Sequence, residues 1–251
     1  MAPYLVLIIL SAGIVASIRW KKLTVPAALT GGVLGWLIYA GAGLTGLSML
    51  AAFFIMGTAA TSWKKKEKRL IKTNDSQQVT RKASQVIANG GVAALTGLGI
   101  LLFPAYRPLL QIAMAGSLAS ATADTLSSEL GMVTGRRFYH ILTFKPDQKG
   151  RDGVVSIEGL LIGLAGSAII GGLYLLGGHL LGDHYTPGYE QNSLGNGRGS
   201  AFWIIVLAGT VGNLVDSVLG ATLERRGMIG NDTVNFLNTL AAALVAGVLA
   251  A

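Results

Sequence analysis

Ser120–Gly131 reads SATADTLSSELG and sets Asp124 and Glu129 inside an apolar run that extends from Pro108 to Val133. A carboxylate at membrane depth costs roughly 2.5–3.5 kcal/mol on insertion scales, so it needs a partner and marks a functional site by default. A second apolar run, Gly209–Glu224 (GTVGNLVDSVLGATLE), is interrupted by Asp216. Three acids in two such segments point to one shared site.

The rest of the chain has the composition of a protein whose solvent is lipid. It is 51% hydrophobic and 13% charged, against about 25% charged for soluble domains. The expected fold is all-α, a polytopic transmembrane bundle of seven or eight segments forming a single domain over residues 1–251. Its 35 glycines suit membrane helices, where small residues let backbones approach closely. With no cysteine, disulfide frameworks and thiolate metal sites are excluded. The net charge of +8 fits anionic lipid headgroups or phosphorylated substrates as partners; no basic cluster interleaved with aromatics marks a nucleic-acid surface.

Apolar runs of membrane-spanning or near-spanning length occupy Tyr4–Ile18, Val25–Leu44, Thr45–Trp63, Val86–Phe103, Pro108–Val133, Ile157–Leu181, Ala201–Leu223 and Val234–Ala251. The first is followed, not preceded, by its charges Arg19, Lys21 and Lys22, the reverse of a signal peptide. Lys and Arg concentrate in cytoplasmic loops. Eighteen of the twenty fall in alternate gaps, leaving Arg107 and Arg198 for the other side. That sorting predicts an external N-terminus, cytoplasmic basic loops at 64–85 and 134–156, and an extracytoplasmic loop at 182–200. His184 in the outer loop has no His or Cys at metal spacing, and GNGRGS (Gly195–Ser200) lacks the Lys-Ser/Thr ending of a phosphate loop. GTAATSWKKK (Gly57–Lys66) has the wrong spacing for that loop too, and WKKKEKRLIK (Trp63–Lys72) reads as a solvated determinant of topology.

At 1.5 Å per residue, Asp124 and Asp216 each lie roughly 12 Å from the cytoplasmic end of their helix, at one depth. Ser128 and Ser120 share a face with Asp124, whereas Glu129 stands about 140° away at 100° per residue, so both acids face one site only if it is broad or the helix is distorted. Asn89 opens the fourth segment in RKASQVIANGG (Arg81–Gly91), and Asn235 and Asn238 open the eighth, at the same end. The loop LTFKPDQKGRDGVVSIEG (Leu142–Gly159) brings Lys145, Lys149 and Arg151 there, with glycines whose backbone N–H groups can approach an anion. Hard oxygen ligands for Mg²⁺ beside Lys and Arg for phosphate oxygens are what phosphoryl transfer requires. A site just below the headgroups admits a nucleotide from water while an apolar tail stays in lipid. A phosphate monoester acceptor, with its second pKa near about 6, needs no strong base. The same acids are also compatible with helix-to-helix glue or an ion pathway.

RKASQVIANGG, SATADTLSSELG, TFKP, GRDGVVS and GNLVDSVLGATLE followed by NDTVNFLN resemble, in that order, the integral-membrane family termed domain of unknown function 92, whose plant and cyanobacterial members are phytyl-phosphate kinases. The resemblance runs from LTGGVLGW at Leu29 onward and departs at Leu126, where an aromatic is usual, and at GRDGVVS, where GTNGGVS is expected. It implies transfer of the γ-phosphoryl of a nucleoside triphosphate, CTP in the plant branch, to an isoprenyl monophosphate. On that resemblance Asp124, Glu129 and Asp216 are the catalytic and Mg²⁺-binding acids. Asn89, Asn235, Asn238 and Ser128 contact phosphate or metal-bound water, and Lys145, Lys149 and Arg151 bind the triphosphate. The competing expectations are a lipid-phosphate nucleotidyltransferase and an ion-coupled transporter.

Overall fold

A computed structural model describes residues 3–71, 80–180 and 198–251. The chain forms α1 (Pro3–Arg19), α2 (Val25–Ser62), the short α3 (Lys65–Ile71), α4 (Ala83–Leu102), α5 (Arg107–Thr134), α6 (Ile157–Leu180), α7 (Arg198–Leu219, continued by a π turn over Gly220–Glu224) and α8 (Asn231–Ala250). Among the described residues, five helices are long and apolar enough to cross a membrane: α2, α4, α6, α7 and α8. The all-helical membrane bundle expected from composition is therefore present. His184 and most of the 182–200 loop lie outside the described residues, as does Lys72.

α2 is two helices, not one. A straight 38-residue helix would hold its ends about 57 Å apart, yet Lys22 Nζ, just before it, donates to Ser62 Oγ at its far end over 2.9 Å. The reversal occurs at Ala42 and Gly43, the latter at φ 61°, ψ −151°, a region that is essentially glycine-only. The two arms correspond to the expected segments Val25–Leu44 and Thr45–Trp63. Thr24 caps the first arm, its Oγ1 accepting from Ala27 N at 3.3 Å, and Pro26 sits in the first turn, where its missing N–H costs nothing.

α5 is the axis of the bundle. Every residue from Ile112 to Ala123 is buried, so this stretch is enclosed on all sides; α5 is long enough to cross, its 28 residues spanning about 42 Å, and composition, not length, keeps it out of the lipid-crossing set. Its small residues permit this. A Cβ on Gly116 would meet Ala246 Cβ at 2.7 Å, and one on Gly209 of α7 would run into Ser167 and Ala119. α4 and the first arm of α2 touch backbone to backbone, Gly97 against Leu37 O and Gly41 against Gly97. The apolar core around α5 includes Ile38, Met49, Ile112, Leu118, Ile170 and Ile205.

The four basic stretches meet at one end of this bundle. Thr24 N donates to Arg81 O at 3.1 Å and Arg81 N to Lys22 O at 3.0 Å; Lys68 pairs with Glu129; Arg225 pairs with Asp147. The third basic loop adds one feature absent from the sequence-based expectation, a small antiparallel ribbon of β1 (Tyr139–His140) on β2 (Val154–Val155).

Candidate functional site

Polar side chains line up in rows on four helices at this basic end. On α4 and the turn before it the row is Arg81, Gln85, Asn89; on α7 and its π turn it is Asn213, Asp216, Ser217, Gly220, Glu224; on α8 it is Asn231 and Asn235. These spacings of three and four residues put each row on one helix face. α5 contributes two adjacent rows, Asp124–Ser127/Ser128–Gly131 and Thr125–Glu129–Met132. The rows enclose a cavity of about 280 Å³. Its breadth around the end of α5 explains how Asp124 and Glu129, far apart in helical angle, both line it.

The loop from Gly150 to Ser156 covers this cavity. It docks through glycines: Gly153 has φ +69° and its missing Cβ would overlap Ala221, while a Cβ on Gly220 would meet Gly153 N at 2.9 Å. The π turn, a geometry frequent at functional sites, supplies that flat surface. Arg225 fastens the loop, its Nε donating to Asp152 O and its Nη2 to Asp147 Oδ2 at 2.9 Å. The Gln148 backbone N–H and the Arg225 side chain hold the Asp147 carboxyl below its ordinary pKa. A depressed carboxylate pKa contributes stability that is present above the unfolded value and lost as pH falls through the folded one. The clasp therefore persists on acidification into the normal carboxylate range.

Behind the cavity wall a hydrogen-bond relay orients Asp216. Ser120 Oγ donates to Asn238 Oδ1 at 3.0 Å, and Asn238 Nδ2 donates to Asp216 Oδ1 at 2.8 Å. Ser120 and Asn238 are fully buried, so the relay ties α5, α8 and α7 together in a low dielectric, where each bond is stronger and each omission costly. One turn away Asn235 Nδ2 donates to Asn231 Oδ1 at 3.2 Å, which orients the amide. Its Oδ1, buried, has no hydrogen-bond partner among the described residues. An orphaned buried acceptor in a cavity that carboxylates also line calls for a donor or cation from outside the chain.

Several expected site residues thus come together: Asp124, Ser128, Glu129, Arg151, Asp216, Asn89 and Asn235 all line the cavity, with Asn238 behind Asp216. Two expected features are not part of this lining among the described residues. Lys145 and Lys149 are exposed and do not line it; the Lys145 backbone is tied to the ribbon, His140 N donating to Lys145 O at 2.9 Å. The three acids also do not form one metal cluster; among the described residues no three His, Cys, Asp or Glu side chains gather for a metal. Glu129 instead accepts from Lys68 Nζ at 2.7 Å, and the same ammonium donates to Ala60 O at 2.6 Å.

Lys68 was hidden in the run WKKKEKRLIK, where nothing distinguishes it from its solvated neighbours; only its burial to 8% exposure does. Replacing it with methionine removes the cation facing Glu129 while keeping most of its bulk. With Glu129 about a quarter exposed, the expected loss of stability is about 2 kcal/mol, below the range for fully buried pairs. Thermal unfolding in detergent will show this, and Glu129→Gln in the same chain will restore part of it. Arg81, Gln85 and Asn213 also escaped sequence reasoning. The i, i+4, i+8 row Arg81–Gln85–Asn89 and the i, i+3 pair Asn213–Asp216 were the available signals.

Arg81 sits at the rim with its guanidinium carbon 6.0 Å from the Phe53 ring centre and beside Gly57. Burial pulls its pKa below the ordinary arginine value, and the charge of Glu129 offsets part of that. Among the described residues no carboxylate comes within ion-pair distance of it.

A family described as "Integral membrane protein DUF92" matches residues 7–243. An uncharacterized membrane protein of Methanocaldococcus jannaschii is 33% identical over 221 residues, 86% of this chain and 81% of that one. The chloroplastic Protein VTE6 of Arabidopsis thaliana is 30% identical over 228 residues, 88% of this chain and 62% of its own length. An uncharacterized membrane protein of Synechocystis is 30% identical over 255 residues, 97% of this chain and 90% of that one. No solved structure matches the chain.

Proposed function

The chain belongs to the integral membrane protein family DUF92, and from that premise we propose that it is an isoprenyl-monophosphate kinase. It transfers the γ-phosphoryl group of a nucleoside triphosphate, CTP by the motif resemblance, to a prenyl monophosphate, with the site open to the cytoplasm. The observation that carries this reading is the single cavity that gathers Asp124, Asp216, Asn89, Asn235, Arg81 and Arg151 at the basic end.

The electrostatics favour a metal-assisted phosphate site. Five carboxylates line the cavity, Asp124, Glu129, Asp152, Asp216 and Glu224, against two arginines. Even with Glu129 neutralised by Lys68, a triphosphate would be repelled without a bound cation. Mg²⁺ uses one or two carboxylates and fills its remaining positions with water and substrate phosphate, so Asp124, Asp216 and the orphaned Asn235 oxygen are a sufficient donor set. Bound there, Mg²⁺ would neutralise charge developing on the transferred phosphoryl group.

In the reaction an oxygen of the acceptor phosphate forms a bond to the γ-phosphorus while the bond from that phosphorus to the β–γ bridging oxygen breaks. The electron pair leaves with the nucleoside diphosphate. The acceptor oxygen is largely ionised at neutral pH, so the residues need to position, not deprotonate. Asn238 holds Asp216 in one orientation, Asn89 and Arg81 face the acceptor end, and Arg151 on the docked loop faces the nucleotide phosphates.

Transport is the weaker reading because Asn238 and Ser120, behind Asp216, are fully buried, and beyond them α5, α7 and α8 are filled by the apolar cluster of Ala115, Leu118, Ile205, Ala208 and Ala246. The decisive assay incubates the purified chain with Mg²⁺, γ-labelled CTP or ATP and prenyl monophosphates. Labelled prenyl diphosphate with release of nucleoside diphosphate is expected. Release of pyrophosphate instead would select nucleotidyl transfer, and no turnover with any prenyl acceptor would overturn the kinase reading.

A further inference from the structure

A second cavity, of about 620 Å³, adjoins the polar one and is walled by α1, both arms of α2 and the start of α4. Its lining is almost wholly apolar, including Ile14, Leu50, Phe53, Phe54 and Val86, and Arg81, Gln85 and Asn89 line both cavities. A cation and two amides thus stand at the mouth of an apolar chamber, beside the row that leads to Asp124 and Asp216. α1 closes the chamber toward lipid. It packs on α2, and its other side is exposed at Tyr4, Leu7, Ile8 and Val15.

We propose that this chamber receives the hydrocarbon chain of the acceptor, with the acceptor's phosphate at the Arg81–Asn89 junction. This deepens the kinase reading and rests on it for the identity of the acceptor. The recognised chemistry is an anionic monoester head on one long apolar tail. Charge complementarity comes from Arg81, and the continuity of the two cavities through three shared residues sets head and tail in register. The volume falls in the range of sites that enclose one small-molecule ligand, about 300–1,000 Å³.

Gly13 provides the test. It lines the chamber, and a Cβ built on it meets nothing within 4 Å, so the side chain of Gly13→Phe starts in open space at the chamber wall, and the substitution raises local helix propensity. The full chain in phosphatidylcholine nanodiscs is photolysed with a long-chain prenyl monophosphate carrying a terminal diazirine, and labelled peptides are mapped by mass spectrometry. Labels are expected on α1 and the arms of α2, competed by farnesyl monophosphate and reduced at least tenfold in Gly13→Phe. Each buried methylene contributes about fourfold in affinity. The ratio of kcat/KM for a fifteen- or twenty-carbon acceptor over a five-carbon one should therefore fall tenfold or more in the variant. Labels elsewhere, labels not competed by farnesyl monophosphate, or an unchanged labelling and chain-length ratio in folded Gly13→Phe would overturn the tail site. Mapped, competed labelling without turnover of any acceptor would remove the kinase reading and leave the amphiphile site standing; turnover with an unaltered Gly13→Phe would do the opposite.

Discussion

Asp216→Ala will lower kcat/KM for prenyl-phosphate phosphorylation by about 100- to 1,000-fold, the range seen when one preorganised electrostatic group is removed from a reacting centre. The expectation follows from how the carboxylate is held. Asn238 donates to it at 2.8 Å and is itself oriented by Ser120, so little reorganisation remains for the reaction to pay for. Asn238→Leu acts one step back: Asp216 stays but loses its fixed orientation, and a loss of about tenfold is expected, concentrated in kcat. The two substitutions share one network, so combining them should cost little more than Asp216→Ala alone. A full multiplicative loss in the double variant would show that the relay is not the means by which Asn238 acts. Elution and thermal unfolding in detergent accompany each assay, because loss of fold would imitate loss of chemistry.

Gly97→Leu will prevent the bundle from assembling. The Gly97 position has no room for any side chain: the next atoms are the Leu37 carbonyl and the Ile38 Cα of the facing arm, and Gly41 answers from the other side with its own contact on Gly97. Both partners are backbone, so no rotamer change relieves the overlap, and the helices must separate. Overpacking in a compliant core costs about 1–3 kcal/mol; here the loss should exceed that, because separating α2 from α4 also pulls apart the wall that carries Arg81, Gln85 and Asn89. The expected result is aggregated or proteolysed material in place of a monodisperse peak. Gly13→Phe is the matched control, a larger insertion into the same bundle at a glycine facing open space, and it should remain monodisperse. If Gly97→Leu purified with unchanged unfolding temperature, the backbone contact between α2 and α4 would be wrong.

How much of this was readable in advance depends on the range of the interaction concerned. The rows of polar residues within helices repeat every three or four positions, so Asp124, Asp216, Asn89 and Asn235 could be assigned to one end of the bundle from local spacing and from the sorting of Lys and Arg. The halves of α2 were legible too, since 38 apolar residues exceed what one bilayer crossing needs, and Gly43 supplies a backbone conformation closed to other residues. Which cations of the 142–159 loop line the cavity was not legible: Arg151 does and the exposed Lys145 and Lys149 do not, a difference set by the path of the loop around the ribbon.

The sequence by itself therefore determined the lipid environment, the helices and the end of the bundle at which the acids of the apolar segments lie, because desolvation cost and helical period act on each residue separately. Only the tertiary structure decided which charges meet. It joined Lys68 to Glu129 across sixty-one positions, gathered no three acids for a metal among the described residues, and set an apolar chamber against Arg81. Those outcomes turn on how close two helices can come, which depends on small residues on both partners at once and leaves no trace in either segment read alone.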